Sequence, residues 1–198
     1  MVNVHIMTQL VHARLVRPVV IGLVLPVILL VVGAVCYDIS SFEPRRNEIT
    51  KLLASANPDE SHPPAQLRRV IVVAHKNYDI SNYVARQLLF YFDDVKNEGI
   101  GWNLRFAMWV RLIRFHYDNE EIVGLYAVLA DRDHIKGLGN LSQKYFSKPI
   151  PQLTEDECAL LVASLQIPFS ETERLRARAN EILKDLAKSK RMTDGRGS

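Results

Sequence analysis

The chain has 198 residues and 25 Lys and Arg against 22 Asp and Glu, a net charge of +3, which is room for one domain and an appendage. Setting aside Arg14 and Arg17 leaves 23 basic residues against all 22 acidic ones, a near-neutral balance that gives no electrostatic footprint for nucleic acid. Cys36 closes an apolar run and Cys158 sits on a helix stripe, so no disulfide is expected between them; neither has metal-ligand spacing, and no metal or cofactor is expected.

Residues 1–17 form a short N-terminal tail. The stretch 18–37, PVVIGLVLPVILLVVGAVCY, carries no charge over 20 residues, and at 1.5 Å per residue it spans about 30 Å, the hydrocarbon thickness of a bilayer. It predicts one transmembrane helix, with Pro26 tolerated as a local kink. A cleaved signal peptide is the competing reading; its apolar region is normally about 7 to 15 residues and ends at a small-residue site, which is not evident near Tyr37. Arg14 and Arg17 precede the span while Asp38 follows it, so the charge bias places the N-terminus in the cytoplasm. The expectation is a single-pass protein of the cell inner (plasma) membrane with its main domain periplasmic or extracellular.

Residues 38–63, rich in Ser, Pro, Asn and charge and containing all but the last residue of NPDESHPP (57–64), read as a tether with one helical turn around 49–55. Beyond them apolar residues recur at three and four, with little period-2 alternation, so 64–190 is expected to be an all-α domain. Helices are predicted over 64–76, 81–94, 101–116, 119–130, 138–145, 154–165 and 170–190. Thr154 with Glu157 and Ser170 with Glu173 have capping-box spacing, and Asp118 with Glu121 resembles it. Leu153, Cys158, Leu161, Val162 and Leu165 make a buried stripe that Pro168 ends, and Trp102, Phe106, Trp109, Ile113, Leu125 and Tyr126 are candidate core. The tail 191–198 is expected to be disordered.

The order NEEIVGLYAV (119–128), Gly139, YFSK (145–148), LTEDECALLVA (153–163) and QIP (166–168) resembles glycosyltransferase family 51, the peptidoglycan glycosyltransferase domain of penicillin-binding proteins and their monofunctional relatives. In that family a K-D-E-I-L-E-x-Y-L-N segment precedes a glycine-rich turn, Y-F-G-K, L-T-x-x-E-A-A-L-L-A and Q-x-P. Arg178, Ile182 and Leu183 resemble the R-x-x-V-L that closes the family domain, and VIVVAHKNYDISNYVARQLLF (70–90) resembles its A-x-E-D-[RK]-x-F segment and following A-R-A-L-L helix. The resemblance implies a lysozyme-like helical domain that handles a lipid-linked cell-wall precursor.

It also implies departures where the family does its chemistry. Lys76, Asn77 and Tyr78 on [RK]-x-F put Ala74 on the catalytic glutamate, which activates the attacking sugar hydroxyl, and His75 on the adjoining aspartate; alanine accepts no proton. The G-G-S-T-I-T-Q-Q loop has no counterpart in DDVKNEGIG (93–101). Trp102, Asn103 and Phe106 fall on the Arg, Lys and second Glu of R-K-x-x-E, and no acid occurs between Glu98 and Asp118.

His75 is a substitute base by its near-neutral pKa, and Asp79 or Glu98 are displaced acids; these three are the candidate catalytic residues, the plainer reading of His75 being a helix-end cap. Lys76, Arg105, Arg111, Arg114 and Lys148 are candidate substrate-binding residues, cations suited to pyrophosphate, whose plainer reading is a solvated surface. The leading expectation is a catalytically degenerate domain that binds a lipid-linked glycan precursor, peptidoglycan or a cell-wall synthesis protein. The alternatives are an active transferase or glycan-cleaving enzyme with displaced acids, and a membrane-tethered helical adaptor without glycan contact.

Overall fold

A computed structural model describes residues 22–76, 79–92 and 99–194. The chain divides into two units, 1–47 and 48–198. In the first, helix α1 (Gly22–Ser55) begins and carries, among the described residues, the one stretch long and apolar enough to cross a membrane. Leu23, Leu25, Leu29 and Leu30 are all more than half exposed, which suits a lipid surrounding rather than water. Residues 18–21 of the expected span lie outside the described residues.

The composition of 38–63 predicts a loose tether, but the chain there is helical. A single π turn, Asp38–Phe42, passes into regular helix through Ser55, and a four-residue helix, α2 (Pro58–Ser61), comes next. The residues that read as breakers are its start signal: the Asn57 side chain accepts the Asp59 N–H at 3.1 Å, and Pro58 takes a first-turn position that needs no donor. Ile49, Glu60 and Ser61 are buried, so the end of this segment joins the core of the second unit.

The remaining elements are α3 (Ala65–Ala74), α4 (Ile80–Phe92), α5 (Ile100–His116), α6 (Asn119–Leu129), β1 (Asp131–Arg132), β2 (Ile135–Lys136), α7 (Leu138–Phe146), a 3-10 turn (Ile150–Gln152), α8 (Glu155–Ser164) and α9 (Thr172–Asp194). The unit is mostly helical, as the periodicity predicts. Both expected capping boxes at Asp118 and Thr154 form, with Asp118 and Thr154 accepting the third helical N–H while Glu121 and Glu157 reach back at 2.8 Å. The third does not: α9 starts at Thr172, and its first carbonyl acceptor is Glu171, one residue past Ser170. The α9 helix also continues to Asp194, through the first four residues of the expected disordered tail. Residues 195–198 lie outside the described residues.

Packing orders the helices around α8, which lies against α3 and α9, while α4 packs on α5 and α6. Trp109, Ile113, Leu125 and Tyr126 are interior as expected, and so are Leu153, Cys158, Leu161 and Val162 of the α8 stripe, whereas Leu165 is half-buried. Trp102 and Phe106 are also only half-buried; Trp102 lies against Phe90 with ring centroids 5.5 Å apart. The β1–β2 hairpin has register Asp131↔Lys136 and Arg132↔Ile135, leaving Asp133 and His134 as a two-residue turn with φ of 52° and 64°. Two positive φ values are what a type I′ turn requires, and the hairpin is too short for alternation to reveal it.

Two glycines fix how α2 sits. A Cβ on Gly124 of α6 would collide with the Ser61 carbonyl, so only glycine allows that approach. Gly137 has φ of 86°, and a Cβ there would lie 2.5 Å from the Glu60 Oε1. The Glu60 carboxylate fills that space and accepts the Gly139 N–H at 2.6 Å, capping α7 from a distant part of the chain.

Candidate functional site

The site is built around the C-terminal end of α3. Leu67, Val70, Ile71 and Ala74 recur at helical spacing and are buried, which fixes where the helix ends and where the next side chains project. The Arg178 guanidinium, from α9, donates to the Ala74 carbonyl at 3.0 Å and so satisfies one of the open acceptors at that helix end. Ala74 itself is 7% exposed.

His75 is the C-cap residue and is buried. Its Nδ1 lies 3.0 Å from the Ile71 carbonyl, where Nδ1–H donates, and its ring meets Tyr126 edge-on at 5.0 Å. Burial holds the imidazole pKa below its ordinary value; the Ile71 hydrogen bond offsets part of this, and the Arg178 charge adds to it. Burial therefore favours the neutral ring, with Nε2 left as a proton acceptor. Tyr126 is fully buried, and its hydroxyl pKa is raised well above the usual value by burial and by Tyr83.

Lys76 pairs with Asp185 of α9, and that hydrogen bond holds the Asp185 carboxyl below the usual range. Asp79 pairs with Arg114 of α5 and also accepts the Ser81 N–H at 2.8 Å, starting α4. Two adjoining cavities share His75 and Lys76. One, of about 370 Å³, is lined also by Asn82, Tyr83, Arg86, Gln166, Arg178 and Asp185. The other, of about 760 Å³, is lined also by Asp79, Ser81, Arg114, Tyr117 and Asp118. Among the described residues, each carboxylate lining them is committed: Asp185 to Lys76, Asp79 to Arg114, and Asp118 to the Glu120 and Glu121 N–H groups at 2.8 Å.

The structure thus brings together four of the residues expected to act, His75, Lys76, Asp79 and Arg114. Glu98 lies outside the described residues. Arg105 and Arg111 share α5 with Arg114 but line neither cavity. Lys148 is elsewhere: its ammonium bonds Glu157 at 2.6 Å, steadying the capping glutamate of α8, and its carbonyl accepts the Ser142 hydroxyl at 2.6 Å. Cys158 is core, as expected, and burial pushes its thiol to about 11.

Arg86, Gln166, Arg178 and Asp185 are cavity residues that sequence reasoning did not single out as site residues. Arg86, Gln166 and Arg178 lie within matched family segments, which is the one signal that marks them; nothing in the local sequence relates Asp185 to Lys76 across 109 positions. Glu60 was also missed. Its carboxyl is raised above the ordinary value by burial, partly offset by the Gly139 and Asn140 amides, and it borders a third cavity of about 340 Å³ with Gln87, Tyr91, Asp131 and Lys136.

No protein-family model and no curated protein matches the chain.

Proposed function

We propose that this chain is a membrane-anchored, lysozyme-like helical domain, similar to the family 51 peptidoglycan glycosyltransferases, that binds the diphosphate of a lipid-linked glycan precursor without polymerising it. The observation that carries this reading is the charge arrangement around His75: Lys76, Arg86, Arg114 and Arg178 line two adjoining cavities whose described carboxylates are all engaged by cations or helix amides. Polymerisation needs a carboxylate ready to accept a hydroxyl proton, and at the position of the family's glutamate there is Ala74. Cations in a cleft remain suited to a diphosphate. The anchor keeps the domain beside the lipid that carries such a precursor, with the N-terminus cytoplasmic and the domain on the outer side of the plasma membrane. Glycan strands and cell-wall synthesis proteins are the other partners consistent with this placement.

A second reading, residual catalysis, is favoured by one observation: His75 lines both cavities, and burial favours its neutral form, whose Nε2 can accept a proton.

The test uses the purified full chain in lipid nanodiscs with a polyprenyl-diphosphate disaccharide precursor. Saturable binding with no polymer on gels is expected. Arg86→Ala, at an exposed position, should weaken binding about 10- to 100-fold, as expected for one lost charge-assisted hydrogen bond. Absence of binding refutes the proposal, and polymer formation abolished by His75→Ala establishes the catalytic reading instead.

A further inference from the structure

The cavity beside Glu60, of about 340 Å³, shares no lining residue with the two around His75. Its volume is that of a small-molecule site. Much of its wall is apolar: Leu52, Val128 and Leu129 are half-buried, and the Tyr91 ring is 52% exposed. Glu60 lines this cavity although it is only 8% exposed. The Gly139 N–H, at 2.6 Å, and the Asn140 N–H donate to its carboxylate, but neither carries a formal charge. Among the described residues no cation pairs with it. Asp131 brings a second carboxylate to the lining, and Lys136 its single ammonium, which rests 5.8 Å from the centroid of the Tyr91 ring. Two carboxylates thus border one cation, and the more buried of the two lacks a countercharge, an arrangement that disfavours the empty site.

We infer that this cavity binds a small monocationic amine with an apolar body, its ammonium donating to the Glu60 carboxylate and its hydrocarbon lying against Leu52, Leu129 and the Tyr91 ring. Charge selects the class. One added cation balances the two carboxylates and Lys136, whereas an anion would increase the imbalance and a neutral molecule would leave Glu60 without a countercharge. An ammonium also gains from a nearby aromatic face, and an ionised acceptor makes a stronger hydrogen bond than a neutral one. A bare divalent ion fits poorly, since it takes six or more oxygen ligands and much of this wall is hydrocarbon. The inference stands apart from the diphosphate reading, because the two sites have no residue in common.

The full chain in phosphatidylcholine nanodiscs is titrated calorimetrically at pH 7 with three probes of matched shape: 2-phenylethylamine, the uncharged 2-phenylethanol and the anionic 3-phenylpropanoate. Empty nanodiscs supply the reference, because an amine also partitions into lipid. The amine should bind saturably and at least about tenfold more tightly than either other probe, as expected for one hydrogen bond to a charged group. Glu60→Gln should erase the preference for amine over alcohol. Ala56→Phe, which fills the cavity from a half-buried lining position and leaves the carboxylate in place, should weaken the amine about tenfold or more. Thermal melts establish that each variant is folded; should Glu60→Gln lose its cooperative melt, the probe series and Ala56→Phe decide. Absence of saturable amine binding, or an affinity unchanged in Ala56→Phe, overturns the site. Equal affinities for amine and alcohol overturn the pairing with Glu60, and tighter binding of the anion overturns it in favour of Lys136.

Discussion

Glu60 occupies space that two glycines leave open, and its carboxylate is held where water is scarce. Its pKa lies above the ordinary 4.5, first because of burial. A carboxyl whose folded-state pKa is raised binds its proton more tightly in the folded than in the unfolded chain, so it contributes stability at low pH that is lost as pH rises through the folded value. Glu60→Gln keeps an acceptor for the Gly139 N–H and removes the titration. Between about pH 4 and about pH 7 the melting temperature of the unmodified chain should therefore fall relative to that of Glu60→Gln. Thermal melts of both proteins in matched buffers check this; a relative rise would refute the role of burial. Nothing about Glu60 was legible in NPDESHPP, because the groups it meets, Gly137 and Gly139, lie more than seventy positions away. His75 and Lys76 were legible only as residue types. Burial lowers the pKa of the first, and Asp185 from another helix gives the second its partner.

Helices were the most legible elements, since their signals are local: periodic apolar residues, and caps that close within three or four positions. The α8 start illustrates this. Thr154 and Glu157 exchange backbone hydrogen bonds as their spacing predicts, but only the fold shows that Lys148 holds Glu157 at 2.6 Å. Thr154→Ala should cost about 1 kcal/mol, a fall of about 2–4 °C in melting temperature for a domain of this size. Glu157→Ala removes both its bond to the Thr154 N–H and the Lys148 pair, so its melting temperature should fall further, and calorimetry of the two variants checks the order. Where cap residues were misread, as at Asn57 and Pro58, the same residue types serve as loop breakers and helix starters, and only the burial of Glu60 and Ser61 tells the two apart.

At the scale of the whole molecule, the described residues include one helix near the N-terminus that is long and apolar enough to cross a membrane, and its insertion can be tested directly. Expressed full chain should stay in the membrane pellet through alkaline carbonate extraction and need detergent for release. Two central changes, Val27→Arg with Leu30→Arg, should shift the chain to the soluble or degraded fraction, since each charge at mid-membrane costs about 2.5–3.5 kcal/mol on insertion. Immunoblots of the fractions read the outcome.

The sequence by itself determined the apolar span, the helical character of the main unit and most helix limits, because each depends on residues within a few positions of one another. The tertiary structure decided which side chains share a cavity: it joined His75, Lys76, Asp79 and Arg114, added Arg86 and Arg178, and moved Lys148 to a structural post at α8. It also left Ile100, Leu104 and Phe115 on an open face. Ion pairing and burial depend on which helices meet, and those contacts join residues that local sequence patterns do not relate.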